Sequence, residues 1–192
     1  MNNDPNVFKR LQAVLNALNM PTMHIPANAE NPIEMLLISV DEAPVTEGSE
    51  SQFVFQLYFA GDMLDQALQE AGATDPDDSN SVNLQFVMVL PVEDTPHDLL
   101  ALHQLLSICN RILPVGFLGL NEENRVYLRY GLLAESKSGI TLPQVVEIID
   151  MLSFFVLRMS PSIGALIQEK LTLQDAISAI ETSLLESAQL SS

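Results

Sequence analysis

Three side chains in the second half of the chain could together bind an anion: Arg125, Tyr127 and Arg129. They stand two residues apart in a stretch that is predicted to be a β-strand, and alternate residues of a strand point to the same face. Two guanidinium groups with a phenol between them would suit a carboxylate. Arginines in an acidic chain can also simply balance the surrounding negative charge, and that role stays open for this pair.

Other residue patterns that would indicate catalysis or metal binding are missing from the sequence. His97 and His103 are six residues apart on a predicted helix and so lie on opposite sides of it, and His24 is far from both in the sequence. There is no HxxxH or ExxH spacing, no CxxC, no GxSxG and no glycine-rich phosphate loop. The acidic run at 74–81 lacks the glycine and glutamate of a calcium loop. We therefore expect no catalytic residues, no metal site and no cofactor.

Negative charge dominates the chain, which has 25 Asp and Glu against 8 Lys and Arg and a formal net charge of −17. No Lys or Arg occurs from Leu11 to Asn110. Such a surface repels phosphate backbones and anionic membranes, so we predict neither a nucleic-acid nor a membrane partner. The charge would either keep the chain soluble or recruit a basic or apolar protein segment.

Cysteine use and hydropathy indicate the compartment. Cys109 is the only cysteine, which excludes an intrachain disulfide and fits a reducing environment. It stands in an apolar helical stretch, as a buried structural thiol would. The first residues lack an apolar signal core, and no apolar run is long enough to span a membrane. We predict a cytoplasmic protein.

The hydrophobic pattern predicts alternating groups of helices and strands. In chain order we predict a helix at 4–19, strands at 33–40, 52–59 and 82–92, a helix that Thr95 caps and that starts at 96, a hairpin at 117–133, a helix at 141–159 and a helical tail. The segment between Pro21 and Pro26 is predicted to be a loop. This order indicates an α+β fold: an antiparallel five-stranded twisted sheet with long helices packed on one side. Residues 1–163 would form the domain, and 164–192 a helical extension of it.

The predicted helix at 141–159 is apolar around most of its circumference. A helix that lies on one face of a sheet hides only part of its surface, and the rest must be covered. The tail is one candidate for the cover, and a second copy of the chain is the other. We predict a homodimer.

Four segments resemble the YbjN-like family of bacterial sensory transduction regulators, which shares its fold with the class I chaperones of type III secretion. The resembling segments are Leu105–Ile112, Pro114–Phe117, Phe117–Leu133 and Leu142–Pro161. The resemblance implies a small, acidic, dimer-forming protein without catalytic activity. Secretion chaperones hold an extended stretch of an effector protein in apolar grooves.

The leading hypothesis is a non-enzymatic protein-binding module, either a chaperone or a regulatory adaptor, that holds a protein segment in grooves or at sheet edges. The candidate contact residues are aromatic, and each would otherwise pack in the core: Phe53, Phe55, Phe154 and Phe155. The alternative is a small-molecule-binding or enzymatic protein with an apolar cavity between sheet and helices. Arg125, Tyr127 and Arg129 would then supply the polar groups of that cavity.

Overall fold

The computed structural model describes residues 7–28, 32–40, 53–61, 82–92 and 96–190, the last four of these by their backbone alone. Its helices and strands follow the order predicted from the sequence, except for one additional strand, β1. In chain order they are α1 (Val7–Ala17), β1 (Thr22–Ile25), β2 (Met35–Ser39), β3 (Val54–Phe59), β4 (Val82–Val89), α2 (Leu99–Ile112), β5 (Phe117–Leu120), β6 (Val126–Ala134), α3 (Leu142–Ile167) and α4 (Leu173–Leu190).

The strands form an open antiparallel sheet in the order β1-β2-β3-β4-β6-β5, which confirms the predicted α+β class. The predicted number of five strands is wrong, because the described residues already form six. The additional strand is β1, in the segment between Pro21 and Pro26 that the sequence predicts to be a loop. It has four residues, too few for a visible hydrophobic alternation. It forms because β2 supplies the hydrogen-bonding partner, with Met23 opposite Leu37.

Strand alternation separates a fully buried sheet face from a partly exposed one. In β3 the side chains of Phe55, Leu57 and Phe59 are buried, while those between them are half-buried or exposed. Phe8 of α1 packs on the buried face, with its ring centroid 5.2 Å from that of Phe59. Burial of each such large apolar side chain stabilises the fold by about 1.5–3 kcal/mol. The α1 helix therefore covers this face of the sheet.

The chain divides into two compact units. The first comprises residues 1–88 and 129–148, and the second comprises 89–128 and 149–192. In the first unit, α1 packs against β1 and β2. In the second, α2 packs against both β5 and α4. The predicted boundary at residue 163 stays a prediction.

Two helix ends differ from the sequence-based expectation. The α2 helix begins at Leu99, where the Asp98 carboxylate accepts a hydrogen bond of 2.9 Å from the backbone nitrogen of Ala101. The predicted cap, Thr95, lies outside the described residues. The α3 helix was expected to end before Pro161, but it continues to Ile167. An interior proline costs a helix about 3 kcal/mol, and the burial of residues after it, such as Ile163, offsets that cost.

Candidate functional site

The aromatic residues predicted as partner contacts have different environments. In the first unit, Phe55 is fully buried at 0% exposure, whereas Phe53 is half-buried just before β3. In the second unit, Phe154 is exposed and Phe155 is half-buried, and their rings meet edge to face at 5.2 Å. Phe55 is therefore a core residue with no surface to offer a partner. This corrects its predicted contact role, because the alternation of β3 turns it inward.

The exposed ring of Phe154 is covered in part by Arg158. The Arg158 Cζ atom lies 3.7 Å from the centroid of the Phe154 ring, and Nη1 donates a 3.0 Å hydrogen bond to the Phe154 carbonyl oxygen. A guanidinium over an aromatic face is a stabilising contact. Leu157, 39% exposed, lies on the same helix. This part of α3 therefore presents a small apolar patch on the second unit.

Two of the three residues predicted to bind an anion lie in the second unit, where they have structural contacts. A Cβ atom at Gly119 would lie 3.0 Å from the Tyr127 ring, so the glycine leaves room for that ring. The Phe117 ring meets Tyr127 edge to face at 5.8 Å. The backbone nitrogen of Arg125 donates a 2.8 Å hydrogen bond to Asn121 Oδ1 in the turn between β5 and β6.

Arg129, the third residue, lies in the first unit and is held by neutral amides. Its Nε donates a 2.7 Å hydrogen bond to Gln85 Oε1, and Gln85 Nε2 donates one of 2.6 Å to Asn83 Oδ1. Gln85 is only 2% exposed. A Cβ atom at position 131 would lie 2.8 Å from Gln85 Nε2 and 2.9 Å from Asn83 Oδ1, so Gly131 leaves the space that these amides occupy.

The amides that hold Arg129 belong to the partly exposed face of the sheet in the first unit. Two rows of opposed residues cross four strands there: Met23, Leu37, Gln56 and Val87 in one, and Ile25, Met35, Tyr58 and Gln85 in the other. We call these eight residues, with Asn83, Arg129, Gly131 and Leu133, the open sheet face. All but Gln85 are half-buried or exposed, and Leu133 is 73% exposed.

The open sheet face differs in charge from the rest of the chain. None of its twelve residues is acidic, and Arg129 is its only charged side chain, although the whole chain has 25 Asp and Glu. In the described part of the chain, Arg129 has no acidic partner, and its side chain bonds only to Gln85. The face is therefore an apolar and amide surface with one positive charge.

Side chains of α1 and α2 form hydrogen bonds with backbone groups of both edge strands. At the β1 edge, Asn16 Oδ1 accepts hydrogen bonds from the Thr22 backbone nitrogen at 3.1 Å and from Thr22 Oγ1 at 3.0 Å. Gln12 Nε2 donates to the Thr22 carbonyl oxygen at 3.3 Å. At the β5 edge, in the second unit, Asn110 bonds both backbone groups of Leu118. A peptide that added as a further strand would have to displace these amides.

The sequence did not predict the hydrogen bonds at the sheet edges or the bonds that join Arg129, Gln85 and Asn83, which we call the Gln85 brace. Asn is a poor helix former, so its presence in the last turn of α1 and of α2 was the available signal for a bond outside the helix. Gln85 interrupts an apolar strand, which was the signal for a paired polar group. The partners of the two Asn residues are only six and eight residues away, whereas Arg129 and Gln85 are 44 residues apart.

The titratable groups outside the open sheet face are consistent with structural roles. His24 Nε2 and Glu34 Oε1 are 2.7 Å apart. Burial raises the pKa of the Cys109 thiol to about 11. The described residues contain no group of three or more His, Cys, Asp or Glu placed to hold a metal, and the acidic run at 74–81 lies outside them. None of the helices in the described part has the length and apolar character needed to cross a membrane.

No protein-family model matches the chain, and no curated protein matches its sequence.

Proposed function

We propose that this protein is a non-enzymatic binding module that holds an extended protein segment against the open sheet face. One observation carries the proposal: in a chain of net charge −17, the described residues of this face expose apolar and amide groups and one arginine, and none of them is an acid. An exposed apolar surface that lacks the negative charge of the rest of the chain is typical of surfaces that bind other proteins.

The edge contacts favour binding on the face over addition of a strand. Thr22 and Leu118 have their backbone nitrogen and carbonyl oxygen bonded to helix amides, so neither edge offers them to a peptide. The face, in contrast, offers side-chain surface that includes Leu133. A segment lying on this face would cover that surface without displacing any of these hydrogen bonds.

The resemblance to the YbjN-like family supports this function. We propose membership of that family and the fold of the class I secretion chaperones, with a role as a chaperone or regulatory adaptor in the cytoplasm. The antiparallel sheet with α1 on one face is compatible with that fold. Phe53, Phe154 and Phe155 remain candidates for further contacts on their own units.

Selection from a phage-displayed library of random dodecapeptides on the immobilised full-length chain tests the function. We expect clones to be enriched over a blank surface. Leu133 and Leu100 provide a matched pair of variants, since they are 73% and 69% exposed and only Leu133 belongs to the open sheet face. Leu133→Asp should abolish binding of the selected clones, and Leu100→Asp should leave it unchanged.

Two outcomes of this selection would contradict the proposal. The first is a failure to enrich any clone over the blank surface. The second is enrichment of clones that bind Leu133→Asp as well as they bind the unaltered chain. Thermal unfolding of both variants, followed by circular dichroism, checks that each is folded before its binding is compared.

A further inference from the structure

We propose that Arg129 is a carboxylate-recognition residue and that the segment bound by the open sheet face carries an Asp or Glu side chain beside apolar residues. This inference rests on the proposed function and specifies the chemistry of its partner. It is carried by the hydrogen bond that orients Arg129, by the absence of an acidic partner for it among the described residues, and by its neighbours on the strand.

The Gln85 brace orients the guanidinium and leaves its outer nitrogens available. Among the described residues, the side chain of Arg129 bonds only through Nε, whose partner is the almost fully buried Gln85. Nη1 and Nη2 make no other bond within the described part of the chain. Two parallel N–H groups of a guanidinium match the two oxygens of a carboxylate, and an exposed, pre-oriented arginine loses less freedom when it binds one.

Among the described residues, Arg129 contacts a neutral amide and no acid. The amide of Gln85 orients the guanidinium without compensating its charge. Within this part of the chain the positive charge therefore remains available for a partner, and none of the twelve residues of the open sheet face provides a competing carboxylate.

The strand around Arg129 also predicts what accompanies the carboxylate. Gly131 follows two residues later and has no side chain, and Leu133, 73% exposed, follows two residues after that on the same strand face. Four residues of a strand span about 13 Å. A partner segment in extended conformation would thus place an acidic side chain at Arg129 and a large apolar side chain near Leu133.

The test uses the composition of the dodecapeptides selected on the full-length chain. Their C-termini are fused to the coat protein, so any carboxylate comes from a side chain. We expect enrichment of Asp and Glu over the unselected library. Changing the enriched acid of a selected peptide to its amide should weaken binding to the unaltered chain by about tenfold, as loss of one charge-assisted contact does.

Variants of the chain show whether Arg129 recognises the acidic side chain of the peptide. Arg129→Gln should bind the acidic peptide and its amide equally, and Arg129→Glu should select peptides enriched in Lys and Arg. Arg111, an exposed arginine of α2, provides the control: Arg111→Gln should keep the tenfold preference for the acid. The acid-to-amide change in the peptide needs no protein variant, so part of the test is independent of folding.

The outcomes that would overturn the inference also show whether the proposed function fails with it. Selected peptides without enrichment of acids, or an Arg129→Gln variant that still prefers the acid, would refute the role of Arg129 while leaving the proposed function intact. Failure to select any peptide would refute the proposed function itself, and the role of Arg129 with it.

Discussion

Asn110 of α2 bonds both backbone groups of Leu118 in the edge strand β5. Its Nδ2 donates to the Leu118 carbonyl oxygen at 2.9 Å, and its Oδ1 accepts from the Leu118 nitrogen at 2.7 Å. One side-chain amide thus replaces the neighbouring strand that an edge residue lacks. Free strand edges promote aggregation, and this contact protects the middle of β5 from pairing with another chain.

Replacement of Asn110 by Ala should destabilise the protein by about 1–3 kcal/mol, because two partly buried backbone groups lose their partner. Urea denaturation followed by circular dichroism measures the change. Glu122→Ala, in the exposed turn after β5, should change stability by no more than about 0.5 kcal/mol. An Asn110→Ala variant as stable as this control would show that water satisfies Leu118 equally well.

Replacement of Gly131 by Ala should disturb the Gln85 brace, because the added methyl group would lie 2.8 Å from Gln85 Nε2. We expect a destabilisation of about 1–3 kcal/mol from overpacking, measured by urea denaturation. At Gly61 an added Cβ meets nothing within 4 Å, so Gly61→Ala is the matched control. Equal stability of the two variants would indicate that the amides of Asn83 and Gln85 can move aside freely.

The buried thiol of Cys109 should make stability depend on pH in the alkaline range. Burial raises its pKa from an ordinary value of 9.0 to about 11, so the folded state holds the proton more tightly. The contribution of this thiol to the free energy of unfolding is complete below about pH 9 and is lost as the pH rises to about 11. At about pH 10 the loss is about 1.4 kcal/mol.

Urea denaturation of the unaltered chain and of Cys109→Ala at about pH 8 and about pH 10 measures this contribution. Other groups titrate in both proteins, so the relevant quantity is the change in the stability difference between them. The unaltered chain should lose about 1.4 kcal/mol more than the variant. Equal losses would mean that the Cys109 thiolate is as well solvated in the folded state as in the unfolded one.

We expect the protein to form a homodimer, and light scattering at micromolar concentration measures its mass. The exposed part of α3 around Leu157 is the proposed contact, so Leu157→Asp should reduce the mass to that of one chain. A point variant is preferable to deletion of residues 165–192, because α4 packs against α2 within the second unit. A mass of one chain for the unaltered protein would refute the dimer.

The sequence predicted those parts of the fold that local patterns determine. The hydrophobic pattern of 52–59 predicted the β3 strand correctly, because a strand repeats every two residues. The β1 strand could not be predicted in this way, since four residues show little periodicity and its pairing with β2 supplies the stability. The passage of α3 through Pro161 likewise depends on packing rather than on propensity.

The candidate site was predictable only in part. The spacing of Tyr127 and Arg129 correctly indicated a strand, in which they alternate with the buried Val126 and Leu128, but Arg125 precedes that strand and the spacing did not indicate what each residue contacts. The bond of Arg129 to Gln85 joins strands β6 and β4, whose register depends on the whole sheet. The bonds between edge strands and helix amides join residues that are closer in sequence, but they depend on how each helix packs beside its strand, which the local pattern does not indicate.

The most direct test of binding at the open sheet face is a titration of the full-length chain, labelled with ¹³C in its methionine methyl groups, with a selected peptide. Met23 and Met35 lie on the open sheet face, whereas Met88 and Met159 are fully buried elsewhere. The peptide should shift the methyl signals of Met23 and Met35 in a saturable way and leave that of Met159 unchanged. Saturable shifts at Met151 or Met159 of α3, with Met23 and Met35 unaffected, would contradict binding at this face.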